Sequence, residues 1–375
     1  MVRRCARRAA RLLAASAALA LSACVTLGPG PGHVVPWSEL PGWPEAALAE
    51  AWPALLHSCS KLAARDPAWR DLCAQAQQLQ SPDDATVRAF IERHFEARLQ
   101  RAGFFRSTGL ITGYYEPLLF GSRSRTERYR YPLYRVPDDL LTVELGDLYP
   151  ELRGKRVRGR LDGRRVVPYY SRAQIEHNPA PLAGNELLWV DDPVALFVLQ
   201  IQGSGRVQLP DGEIVAVGYA DQNGHPYTAI GRTLVERAGL ALDDIDLPTI
   251  RRWLAEHPQE AQAIMHTNAS YVFFQERDAA APGPIGSLGV PLLPERAIAV
   301  DPAYIPLGAP VWLDTTLPGS DAPYRRLVFA QDTGGAIRGP VRADLFFGRG
   351  PAAEDYAGRM KQPGRLYLLF PARSP

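Results

Sequence analysis

RLVFAQDTGGAIRGPVRADLFFGRG, Arg326 to Gly350, concentrates more structural and chemical signal than any other stretch of this 375-residue chain. The apolar run Leu327-Val328-Phe329-Ala330 reads as a strand that delivers Asp332 to Gly334-Gly335, where the backbone must turn sharply. A second acid, Asp344, follows twelve residues later, with Leu345-Phe346-Phe347 directly after it. Carboxylates set beside apolar strands and glycine turns are poorly hydrated, which raises their pKa and suits them to proton transfer. The stretch predicts acid/base chemistry at a strand end, with Asp344 and Asp332 as the candidates.

The same texture extends through most of the chain. From Gly109 onward, short alternating segments are broken by Gly, Pro and Asp: LITGYYEPLLFG, YRYPLYRVP, ELLWV, ALFVLQIQGSGRVQLPDGEIVAVGYA, SYVFFQE, RAIAV, APVWL, RLVFA, VRADLFF and RLYLLF. Short strands at this spacing predict barrels, not a parallel α/β sheet. Helical periodicity is concentrated near the N-terminus, over Ala46 to Leu62, Pro67 to Leu79 and Ala85 to Leu99, the last opened by Pro82-Asp83-Asp84. One more helical pair is expected at Arg232 to Ala238 and Pro248 to Glu256. The fold class is mainly β with N-terminal helices.

The first residues carry an address. Arg3, Arg4, Arg7, Arg8 and Arg11 precede an apolar run from Leu12 to Ala20, then Leu21-Ser22-Ala23-Cys24. A basic segment followed by a run too short to span a membrane reads as a secretory signal over 1–23. Small residues before a cysteine look like a bacterial lipobox, with cleavage before Cys24 and lipidation of its thiol; the alternative is an ordinary signal cleaved near Ala23. A Pro/Gly-rich tether runs to Gly42, so that 24–42 is expected to link the lipid to the folded domains. Val25 stands where an aspartate would retain a lipoprotein at the inner membrane, which favours a lipid anchor in the outer membrane, facing the periplasm. Loss of the five signal arginines takes the formal charge from +2 to about −3, and nothing basic remains to suggest nucleic acid. A mature chain of about 350 residues predicts two domains. In an oxidising compartment, Cys59 and Cys73 are candidates for one disulfide between two helices; the alternative is two small buried residues.

Several chemistries find no support. The seven histidines are scattered and no cysteine pair has metal spacing, so no metal or other cofactor is expected. Gly203-Ser204-Gly205 lacks the lysine of a phosphate loop, and Ser204 is not in a GxSxG elbow. Asp332-Thr333-Gly334 matches the signature of pepsin-type proteases, but those require a second such motif, and Asp314-Thr315-Thr316 lacks the glycine. Three other segments are candidates for sugar contact. Thr112-Gly113-Tyr114-Tyr115 puts its adjacent tyrosines on opposite strand faces, so at most one lines a cleft; the alternative is a core strand with a tyrosine corner. Gln200-Ile201-Gln202-Gly203-Ser204-Gly205, read as a strand, turns two glutamines to one face beside a tight turn, with a plain core strand again as the alternative. Ala220-Asp221-Gln222-Asn223-Gly224-His225-Pro226-Tyr227 is polar and turn-rich, and the alternative there is a plain loop.

The motifs GYYEPLLFGSR, YPLYRVP, LQIQGSGRVQLPDG, VGYADQNGHPYTAIGR, NASYVFFQE, GPIGSLGVPLLPERAIAVDPAYIPLGAPVWLDT and QDTGGAIRGPVRADLFFGRG occur in one order. Together they resemble the membrane-bound lytic murein transglycosylase A family from about Phe104 to Phe370. The C-terminal part is similar to the 3D domain, named for three aspartates, at Asp301, Asp332 and Asp344. The resemblance implies a large domain (43–117 and 266–375) with a double-psi β-barrel, a smaller β-barrel inserted at 118–265, and a groove between them for peptidoglycan glycan strands. It names no cell-wall synthesis protein as a partner.

It also implies cleavage of the MurNAc-β-1,4-GlcNAc bond without water, leaving 1,6-anhydroMurNAc ends. One carboxyl group then suffices, because the sugar's own 6-hydroxyl replaces the second group of an ordinary glycosidase. The catalytic acid/base of the motif matches Asp344, with Asp332 supporting it and Asp301 structural. Thr112, Tyr114, Gln202, Ser204 and Gly205 are expected to contact sugar, and Gly334, Gly335 and Ala336 to let glycan approach the backbone. The family often has an aromatic and then glycine after this aspartate, as in D-x-Y-x-G; here Phe346 keeps the aromatic without its hydroxyl. Two other readings stay open: a muramidase-type glycosidase that admits water, and a non-catalytic glycan-binding lipoprotein.

Overall fold

A computed structural model describes residues 30–103, 106–153 and 157–372; Cys24 and the signal lie outside them. The chain opens with β1 (Gly30–Val35), three helices, α1 (Trp52–Leu62), α2 (Pro67–Gln78) and α3 (Asp84–His94), and β2 (Phe95–Arg101). Asp66 and Asp83 cap α2 and α3 by accepting the Ala68 and Thr86 N–H groups at 2.9 and 2.8 Å. The buried faces of these helices carry Trp52, Leu55, Trp69, Leu72, Phe90 and Ile91 onto Trp312 and Phe329. Cys59 and Cys73 are joined in a disulfide 14 residues apart, between α1 and α2. The expected helix through Leu99 stops at His94, because Phe95 to Arg101 pairs with β1 on one side and with the C-terminal strand on the other.

β3 (Gly109–Glu116) leads into a long insertion: β4 (Leu118–Ser122), β5 (Tyr131–Tyr134), β6 (Leu141–Val143), β7 (Val157–Asp162), β8 (Arg165–Val167), α4 (Arg172–His177) and β9 (Glu186–Val190). It continues as α5 (Pro193–Gln202), β10 (Ser204–Gln208), β11 (Ile214–Gln222), α6 (Ile230–Ala238), α7 (Leu247–Glu256), α8 (Pro258–His266) and β12 (Val272–Arg277). The chain then returns as β13 (Ala297–Val300), β14 (Pro310–Thr316), β15 (Pro323–Thr333), β16 (Arg342–Arg349), α9 (Pro351–Arg359) and β17 (Lys361–Pro371).

β17 pairs with both β14 and β3, which closes the ring β3-β16-β13-β15-β14-β17 into a six-strand barrel. Its interior is filled by Ile111, Ile298, Val300, Val311, Leu313, Val328, Leu345 and Leu366. Closure leaves these strands no free edge, so the register across them is fixed. The insertion has its own six-stranded sheet, β12-β11-β10-β4-β9-β5, over a core of Leu119, Leu188, Val207, Val217 and Phe274.

Two expectations are corrected here. Ala195 to Gln202 is not a strand but part of helix α5: Asp192 caps it, Pro193 fills its first turn, and Gly203 ends it at φ +79°. An unbroken apolar run fits a buried helix as well as a buried strand, so only these end signals distinguish them. The insertion also extends past residue 265, because β12 pairs antiparallel with β11 and completes the inserted sheet.

Candidate active site

The barrel register places four residues in one row across adjacent strands. Asp344 on β16 lies opposite Thr112 on β3 and Ala299 on β13, and Ala299 lies opposite Asp332 on β15. Side chains alternate along a strand, so Ile111, Ala343 and Leu345 point inward while Thr112, Tyr114, Asp344 and Phe346 emerge on the outer face. There Tyr114, Phe346, Ala297, Ala299, Leu292 and Ile337 form a small apolar patch around the acids.

The two acids have different partners. Thr112 Oγ1 donates to Asp344 Oδ1 at 2.5 Å. Burial raises the Asp344 pKa above the usual carboxylate range; the Arg342 guanidinium and the Thr112 bond oppose this, and the Asp332 charge adds to it. Asp332 accepts from the Ser287 N–H at 2.9 Å, from Ser287 Oγ at 3.0 Å and, through Oδ2, from the Tyr114 hydroxyl at 3.0 Å. Burial raises its pKa too, against the pull of these donors and of the Thr333 backbone N–H. Asp332 thus carries the bonds that suit a carboxylate, whereas Asp344 keeps one oxygen without a protein donor among the described residues. Both acids are half-buried on the outer face of the barrel, which forms the floor of the site.

Sequence-predicted residues divide into two groups around this floor. Thr112 and Tyr114 are at the acids, with their hydroxyls already engaged, and the Tyr114 ring packs on Phe346 with centroids 5.2 Å apart. Tyr115 points the other way, into the barrel core, where Arg251 Nη2 donates to its hydroxyl at 3.3 Å. Gly335 and Ala336 are exposed beside Asp332, with open space around the former. At Gly334 a Cβ would press on Ile337 at 2.8 Å, so this glycine serves the turn's own packing. Asp301 accepts from the Gly339 N–H at 2.8 Å and the Ala303 N–H at 3.2 Å, tying the glycine loop to the end of β13.

Gln202, Ser204 and Gly205 do not meet the acids. Gln202 Oε1 accepts from the Tyr115 N–H at 3.0 Å and joins the insertion to β3. Ser204 is buried at the start of β10, and a Cβ on Gly205 would lie 2.4 Å from Leu199. Gln200 does not share a face with Gln202, since two residues apart on a helix means nearly opposite sides.

Two residues at the site were missed by sequence reasoning. Arg342 lies two positions before Asp344 and is the cation facing it. Ser287 comes from the GPIGSLGVP loop, distant in sequence from both acids. Only the family motifs containing them marked these two positions beforehand. Tyr227, the last residue of the candidate segment Ala220 to Tyr227, is 37% exposed and extends from the insertion; burial and the Asp344 charge raise its phenol pKa. Among the described residues no three His, Cys, Asp or Glu side chains converge as a metal-binding set.

The MltA specific insert domain family matches residues 110–275, and the 3D domain family matches residues 296–370. The membrane-bound lytic murein transglycosylase A of Vibrio cholerae is 30% identical over 304 residues, covering 79% of this chain and 74% of that protein. The chain belongs to the membrane-bound lytic murein transglycosylase A family. Solved structures agree. MltA from Neisseria gonorrhoeae superposes with a TM-score of 0.78 at 36% identity, covering 91% of this chain and 93% of that one. A membrane-bound lytic murein transglycosylase from Agrobacterium tumefaciens gives 0.81 at 31% identity, over 92% and 98% of the two chains. Within this family frame, Asp344 and Asp332 both lie in the 3D domain, and Thr112 and Tyr114 lie where the insert match begins.

Proposed function

We propose that this protein is a peptidoglycan lytic transglycosylase that cleaves the MurNAc-β-1,4-GlcNAc bond and leaves 1,6-anhydroMurNAc ends, with Asp344 as its single acid/base. The observation that carries the reading is the unequal treatment of two neighbouring carboxyls: Asp332 accepts three side-chain and loop hydrogen bonds, Asp344 one. Asp332 is the group that ionises first. Its charge favours a proton on Asp344, so a general acid is available where a lone surface aspartate would have lost its proton.

In the reaction, Asp344 gives its proton to the departing glycosidic oxygen. The resulting carboxylate accepts the proton of the MurNAc 6-hydroxyl as that oxygen closes on the anomeric carbon. Thr112 fixes Oδ1 and turns the other oxygen to the sugar. Positive charge developing on the sugar ring meets the Asp332 anion and the carboxylate left on Asp344. Tyr227, from the insertion, closes the far side against the glycan. Gly335 and Ala336 offer exposed backbone along which the strand lies.

The architecture fits this role. The parallel pairings β3–β16 and β13–β15 inside a closed six-strand ring support a double-psi barrel, with the insertion forming the other wall of a glycan groove. The domain division is large domain to residue 117 and from the end of β12, inserted domain between. Arg206 from the insertion and Arg349 from the barrel converge on buried Glu116, at 3.1 and 3.8 Å, and fix the junction. We place the enzyme at the outer membrane, held by lipid on Cys24 and facing the periplasm; the membrane-bound relatives support the membrane association, and the lipobox-like residues before Cys24 support the anchor.

Digestion of murein sacculi followed by mass analysis of the muropeptides tests the reaction. Anhydro ends are expected. Reducing ends would instead mean that water enters and the protein is a muramidase, and undigested sacculi would mean a glycan-binding lipoprotein.

A further inference from the structure

The loop Gly283–Pro291 is built to hold one residue against the acids. A Cβ on Gly286 would come within 2.5 Å of the Gln331 carbonyl, and one on Gly283 within 2.0 Å of the Leu292 carbonyl, so the loop lies backbone-to-backbone on its neighbours. The Leu288 N–H donates to the Gln331 carbonyl at 3.0 Å, and the Gly286 N–H closes the loop on Val290 at 3.0 Å. Between these anchors stands Ser287, whose N–H and Oγ both reach Asp332 Oδ1. Its Oγ also lies 2.7 Å from Thr333 Oγ1. An ionised carboxylate only accepts, so Ser287 donates to Asp332 and Thr333 donates to Ser287. Thr333 and Ser287 thus form a row of donors ending on Asp332, and donors aimed at a carboxyl favour its charged form over its neutral one.

We propose that Ser287 is a positioning residue of the reaction: it holds Asp332 as the ionised member of the acid pair, so that the pair's proton resides on Asp344. The inference rests on the transglycosylase reading above and adds the group that decides which acid keeps the proton. Among the described residues, the charged and titratable groups facing the pair are Tyr114 from β3, Arg342 from β16, Tyr227 from the insertion, and the two acids themselves. None of the others gives Asp332 two donors, and Tyr114 gives one.

Ser287→Ala removes one donor from the charged form of Asp332, which raises the pH at which Asp332 ionises by about one unit. The acidic limb of the kcat/KM–pH profile is expected to move up by that amount, with Ser287→Thr restoring it. Ser287→Cys keeps the side-chain size with a weaker donor and carries the same expectation should the alanine variant be unstable. A second readout needs no turnover: the Asp332 carboxyl carbon in ¹³C-aspartate protein, assigned through Asp332→Asn, should titrate higher in Ser287→Ala by the same step. An acidic limb and a carboxyl titration that both superimpose on wild type overturn the proposal, however far the rate falls, because Ser287 would then only shape the loop. Missing anhydro products in the wild type would defeat the transglycosylase reading instead, and the carboxyl titration would still decide Ser287.

Discussion

Asp332 and Asp344 occupy one row of the same barrel, and their surroundings could hardly differ more. Asp332 ends a strand beneath a glycine-rich loop and accepts hydrogen bonds from Ser287 and Tyr114. Asp344 lies within a strand, its side chain bonded among the described residues to Thr112 alone, with Arg342 nearby. Burial raises both pKa values, so desolvation alone does not separate the two acids. On the proposed reading the separation comes from donor count: hydrogen bonds to a carboxylate favour its charged form, and the charge on one acid then favours the proton on the other. Division of labour within an acid pair is decided by hydrogen-bonding partners more than by depth.

Replacing Asp344 with Asn should have the largest effect. It removes the proton donor while keeping the shape, and sacculus digestion should fall by about 10²–10⁴-fold. Wild-type rates from Asp344→Asn would reverse the assignment of the two acids. Next comes Asp332→Asn, expected to lower the rate roughly tenfold, about one pKa unit of lost bias. Here the sign is specific. The Asp332 charge raises the Asp344 pKa, so removing it lets Asp344 lose its proton earlier, and the alkaline limb should move to lower pH. Thr112→Val should be smallest, a few-fold in rate, with the opposite shift. Thr112 lowers the Asp344 pKa by bonding its charged form, so without it the alkaline limb should move up by about half a unit. Shifts of the same sign in the last two variants would mean that both act through general loss of structure.

Much of this site was legible in the sequence as residue types without partners. The apolar flanks of Asp332 and Asp344 marked them as buried acids, and the adjacent tyrosines were bound to face apart, as Tyr114 and Tyr115 do. The errors arose where a local pattern admits two periods. ALFVLQ is apolar throughout, and only Asp192, Pro193 and Gly203 at its ends identify α5 as a helix. Gln202 and Gly205 stand out in the sequence as polar or small beside a turn; in the fold Gln202 ties α5 to β3, and Gly205 allows Leu199 to pack. Ser287 was invisible because nothing local distinguishes it from any other loop serine.

Residue type and spacing along the chain are enough to give the strand-rich class, the helical N-terminal segment, the two acids and their poorly hydrated settings. The tertiary structure alone decided which hydroxyls and N–H groups reach each acid. That depends on barrel closure, which brings β3 beside β16 across more than two hundred residues, and on a loop seated against Gln331. Hydrogen bonding acts over about 3 Å, and contacts that short between distant segments exist only once the register is fixed.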